Sequence, residues 1–161
     1  MSCSRMVVAA AIVGFCGYAQ AHKPVVIDGG PVDLNTAYRI PDEDVSMVGY
    51  HEVTSTQPQL WFSFDVEGPK SLYLQAGVPK IERYAALRPI LALIGPGLPA
   101  PEQSVPFELP EGYGALVYDT ANETPVVFNE VFTGTDSWQF AAREPVVQTP
   151  GKYYSVVYLP Q

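Results

Sequence analysis

Histidine is the side chain best suited to bind a transition metal or to move a proton near neutral pH. It occurs twice in this chain, at His22 and His51. The position of the first is defined by what precedes it. Arg5 is the only charge in the first 21 residues, Met6 to Cys16 form an unbroken weakly apolar run, and Ala19-Gln20-Ala21 supplies small residues in an A-x-A pattern. Those are the three parts of a secretory signal peptide. Cleavage after Ala21 makes His22 the new amino terminus, where its α-amine and ring nitrogen can reach one ion together. His51, 29 residues later, is the other imidazole. Amine and imidazole nitrogens suit Cu(II). Pro24 has no backbone N–H, so the chelate that a free terminus builds from successive amides is blocked there. A copper site on this chain therefore requires His51 as well as His22.

Other catalytic arrangements are poorly provided for. Asp65, Asp119 and Glu130 offer the paired carboxylates a glycosidase needs, but a chain with 17 acidic residues produces such pairs freely. There is no G-x-S-x-G elbow and no H-E-x-x-H motif. A Ser-His-Asp triad would have to use one of the two histidines. Asp42, Glu43 and Asp44 sit in a proline turn without the spacing of a calcium loop, and a solvated turn is the expected role. The aromatics of the last third are the remaining chemistry. Tyr113, Tyr118, Trp138 and Tyr153 are candidate ligand-binding residues, because exposed aromatic rings are what a carbohydrate or protein ligand would be held by. The alternative role for the same rings is a β-sheet core. Adjacent strand residues face opposite ways, so at most one of Tyr153 and Tyr154 is core. Asn122-Glu123-Thr124 fits a glycosylation sequon, weakened by Pro125.

The bulk numbers restrict the partners. Nine Lys and Arg stand against 17 Asp and Glu, a formal net charge of −8. No basic cluster exists to neutralise phosphates, so nucleic acid is excluded as a partner, and anionic membranes are disfavoured. The Met6–Cys16 run is too short to span a bilayer, which takes about 20 apolar residues, and no later run is longer. No transmembrane segment is expected. Both cysteines, Cys3 and Cys16, lie within the leader, so the rest of the chain has neither disulfides nor thiolate ligands. Phe15, directly before Cys16, is too bulky for a lipidation site. The expected organisation is a signal peptide at residues 1–21 and one domain at residues 22–161, exported to a periplasmic or extracellular location.

The elements that must position these residues are strands. "QLWFSFDV" alternates strictly, with Leu60, Phe62, Phe64 and Val66 on one face and Trp61, Ser63 and Asp65 on the other. With "EGPK" as its turn and "SLYLQAGV" beyond, it predicts a hairpin with one dry and one wet face, Ser63 and Asp65 on the wet one. Val45–Val53 precedes it, and "PILALIG", "VPFELP", "GALVYD", "PVVFNEVF", "WQFA", "EPVVQTP" and "KYYSVVYLP" follow it, as further short strands between Gly and Pro turns. Lys80–Leu87 is the one helical candidate, limited to about two turns by Pro79 and Pro89. The predicted fold is an all-β, jelly-roll-like single β-sandwich with one short helix.

Three stretches carry a family resemblance. Trp61 to Leu74, Pro89 to Gly97 and Pro150 to Tyr158 resemble the apolar-aromatic strand, the central strand with its proline-glycine loop, and the closing Gly-x-Tyr-Tyr strand of small secreted β-sandwich domains of the bacterial pre-peptidase C-terminal type. That resemblance implies a non-catalytic binding or accessory module with no catalytic residue and no cofactor. The alternative rests on the histidines. A terminal His22 with His51 is similar, in ligand set alone, to the copper brace of oxidative polysaccharide-cleaving enzymes and some periplasmic copper carriers. It implies a copper-binding protein or copper oxidase-type enzyme.

Overall fold

The structure is a computed structural model that describes residues 23–27, 30–42, 44–54, 56–130 and 134–160. The proposed leader and His22 lie outside the described residues. Twelve strands form among those described: β1 Lys23–Val26, β2 Tyr38–Arg39, β3 Met47–Tyr50, β4 Gln59–Val66, β5 Lys70–Ser71, β6 Gly77–Pro79, β7 Ile90–Pro96, β8 Tyr113–Asp119, β9 Val126–Glu130, β10 Thr135–Gln139, β11 Val146–Val147 and β12 Gly151–Tyr158. They make an all-β fold of several sheets. The largest has five strands in the order β2-β4-β12-β7-β8, and a second has three in the order β6-β10-β9. β1 pairs with β3, and β11 with β5. Among the described residues no helix is long and apolar enough to cross a membrane.

The five-stranded sheet is built on β12. All eight of its residues pair with β4, from Gly151 opposite Val66 to Tyr158 opposite Gln59, and its other edge pairs with β7. β4 therefore does not form the expected hairpin with the chain that follows it. Gly68 and Pro69 break the run, β12 and β2 take the two edges of β4, and β5 pairs with β11 instead.

The wet face predicted for β4 narrows to Asp65, which is exposed and pairs with Arg39. Trp61 is 1% exposed and Ser63 is 3% exposed. On the Trp61 side, Ile90, Ala92, Ile94, Ala115, Val156 and Tyr158 form one core, covered by Leu34, Ala37, Phe107 and Leu109. On the other side Phe64, Val66, Leu72, Leu93, Val147 and Tyr153 form a second. The cover explains the failure of the alternation rule. Phe107 and Leu109 come from "VPFELP", which forms no strand because Pro106 and Pro110 cannot donate to a ladder. Instead it lies as a loop over the indole of Trp61, with the Phe107 ring edge-on at 5.0 Å. The buried indole N–H donates to Gln59 Oε1 at 2.7 Å. Gln59 Nε2 in turn donates to the Pro106 carbonyl at 3.3 Å, pinning the loop.

Lys80–Leu87 contracts to a single 3-10 turn, Glu82–Tyr84, in place of two helical turns. Its first residue is preceded by Ile81, which gives no side-chain cap, and a segment this short cannot offset the cost of nucleating an α-helix.

Candidate functional site

His51 follows β3 and is half-buried, with Nδ1 3.5 Å from the Ile27 carbonyl oxygen and Nε2 buried without a hydrogen-bond partner. The β1–β3 pairing is parallel, with Lys23 opposite Met47 and Val26 opposite Tyr50. His51 thus lies at the far end of the pair from Lys23, four residues or about 13 Å beyond Met47 at the rise of a strand. A copper ion needs its nitrogens at about 2 Å. Among the described residues no three His, Cys, Asp or Glu side chains form a metal-ligand group. His22 lies outside the described residues, and the lack of a metal-ligand group among those described disfavours the copper alternative on His22 and His51.

The four candidate aromatics go to different places. Tyr153 is fully buried, 0% exposed, beside Phe64 at 6.2 Å in a near-parallel stack. Its hydroxyl lies 2.9 Å from the Pro96 carbonyl oxygen and 2.7 Å from that of Thr149, and burial raises its pKa above the usual tyrosine value of 10.0. Gly95 makes room for the ring. A Cβ there would come within 2.1 Å of it. Tyr118 is on the same face of the sheet, two rows away, opposite Leu91. Its ring is covered by the Arg143 guanidinium at 5.3 Å, and that arginine pairs with Glu123. Burial raises the Tyr118 pKa, against the opposing pull of Arg143. Tyr113 is half-buried on the opposite face, against the Tyr154 ring at 6.5 Å.

Trp138 stands apart from all three, in the three-stranded sheet. Its cross-strand neighbours are Val127 on β9 and Val78 on β6. Directly opposed residues share a face, so Val127, Trp138 and Val78 form one row. Val127 is 55% exposed at one end, Val78 is buried at the other, and Trp138 is half-buried between them. The next row on the same face is polar. Asp136 is opposite Asn129. Asn129 Nδ2 donates to Asp136 Oδ1 at 2.9 Å, and Lys80 Nζ lies 3.4 Å from Asp136 Oδ2. The Asn129 hydrogen bond and then Lys80 hold the Asp136 carboxyl below the usual aspartate value of 3.8. The result is a partly open indole flanked by an apolar rim, with an ionised carboxylate, an amide and an ammonium about 7 Å further along the strands.

Asn129, Asp136 and Lys80 were not among the residues singled out by type or motif. The signal for them is pairing. "PVVFNE" and "TDSWQ" flank a turn at Gly134, whose φ is +65°, and folding them together at that turn sets Asn129 against Asp136.

No protein-family model, curated protein or solved structure matches the chain.

Proposed function

We propose that this chain is a non-catalytic binding module that holds a neutral carbohydrate against the Trp138 face of its three-stranded sheet. The observation that carries the reading is the half-buried indole in an apolar row, with the Asn129–Asp136–Lys80 row beside it. A sugar ring offers C–H groups to an aromatic face and hydroxyls to groups in line with it. A ring stacked on Trp138 has its hydroxyl edge over the polar row, where the carboxylate accepts and the amide and ammonium donate. The charge of −8 repels polyanions, which favours a neutral ligand.

Export to a periplasmic or extracellular location, on the pattern of residues 1–21, belongs to the same proposal. So do a jelly-roll-like sandwich organisation and kinship with domains of the pre-peptidase C-terminal type. Their support is that β4, β12 and β7, drawn from the three stretches with that resemblance, are hydrogen-bonded neighbours.

Affinity electrophoresis through gels containing soluble β-glucan, xylan or galactomannan tests the reading. At least one polymer should retard the protein, Trp138→Ala should lose the retardation, and Tyr118→Phe should keep it. Free migration of the native protein in every gel, or equal retardation of Trp138→Ala, overturns the reading.

A further inference from the structure

Sheet edges invite pairing with other strands, and proteins guard them with proline, short length or cover. Three of the four edges of the two larger sheets are guarded. β8 is covered over its first residues by the loop after β7, with the Ala115 N–H donating to the Pro99 carbonyl at 2.8 Å. β6 contains Pro79, and β2 has only two residues. β9, "VVFNE", has five residues, no proline and no lysine. It is the outer strand of its sheet, and no backbone hydrogen bond from its outer edge is recorded among the described residues. Val126 and Val127 face opposite sides of the ribbon, yet they are 64% and 55% exposed.

We propose that β9 pairs with β9 of a second copy of this chain, antiparallel about a twofold axis at Phe128. This is the register that uses all five residues. It sets Phe128 opposite the partner's Phe128, Val127 opposite the partner's Asn129 and Val126 opposite the partner's Glu130, so no acidic position faces another. A self-complementary contact of this kind is isologous and closes on itself. Because the contact uses the same edge on both copies, the product is a dimer with a continuous six-stranded sheet and not a fibre. The axis runs perpendicular to the sheet, so Trp138 and the partner's Trp138 share one face. Strand spacing and rise put them about 16 Å apart. The dimer goes beyond the carbohydrate reading and stands whether or not a sugar binds.

The test uses the full chain with Cys3→Ser and Cys16→Ser. Opposed Cα atoms in an antiparallel pair are about 4.5–5.5 Å apart, within disulfide reach of about 4.4–6.8 Å. Under mild oxidation Phe128→Cys should form a disulfide dimer alone. Val127→Cys and Asn129→Cys should each fail alone and cross-link when mixed. The last two positions are exposed and so tolerate substitution. Sedimentation in about 0.3 M salt, which screens the negative charge, should show a dimer. The double variant V126D/V127D, which sets an acid at position 126 opposite the partner's Glu130, should weaken its dissociation constant at least tenfold. A native protein that sediments as a monomer overturns the proposal. So does association that survives V126D/V127D, or cross-linking with no preference for position, as contact through the leader would give. Capture of a different protein's strand on β9 in place of a second copy overturns it too.

Discussion

Gly95 has no space for a methyl group. An added Cβ would meet the ring of Tyr153 at 2.1 Å, and that ring is held by contacts from its hydroxyl to two carbonyls. Gly95→Ala should therefore destabilise the fold by about 1–3 kcal/mol, the usual cost of overpacking, in a urea melt. In a Tyr153→Leu background the same change should cost less, because the atoms it strikes are gone. Equal costs in both backgrounds would show that the glycine is there for another reason. Little of this was legible from residue types. "PGKYYSVVY" gives the alternation of Tyr153 and Tyr154, and Tyr153 is core while Tyr154 is half-buried. The need for glycine at position 95 is set by a residue 58 positions away, and no local pattern encodes a contact of that range.

At the scale of elements, Asp136 ties β10 to Asn129 on β9 and to Lys80 just after β6. Its pKa is lowered in the folded protein. The stabilisation it supplies is complete above the usual aspartate value of 3.8 and is lost as pH falls through its lower folded value. Urea midpoints between about pH 2.5 and pH 5 should therefore drop toward acid, and Asp136→Ala should remove part of that slope. An identical slope in the variant would show that the ladder does not couple the three strands. Strand existence was legible: "QLWFSFDV", "PILALIG", "GALVYD" and "KYYSVVY" all fall on strands of the main sheet. Partner choice was not. β4 leaves its expected hairpin for β12, some 85 residues on, because β12 matches its full length. On the face of β4 predicted to be wet, Asp65 is exposed, but the Trp61 end is covered by a proline loop whose burial depends on that indole, and strand periodicity says nothing about loops.

For the molecule as a whole, two cores flank one sheet, and phenols lie in or beside both. Burial raises the pKa of Tyr153, of Tyr158 and of Tyr118, with Asp119 adding to the effect at Tyr158. The fold favours the neutral phenol. That stabilisation is complete below the unfolded value of about 10 and is lost as pH rises through the raised folded values. Stability should begin to fall near pH 10, and Tyr153→Phe should show a shallower fall. A flat profile to pH 12 would contradict the buried placement of these rings. Binding, the central claim, has an internal control in the same molecule. The chain has two tryptophans, Trp61 sealed in a core with its indole N–H on Gln59 and Trp138 half-buried in the row between Val127 and Val78. Their two indole signals in a ¹H–¹⁵N correlation spectrum can be followed while oligosaccharides of the retarding polymer are added. The account predicts that the Trp138 signal moves with the amides of Val127 and Asn129 while the Trp61 signal stays fixed. A Trp138 signal that stays fixed at saturating ligand would contradict it.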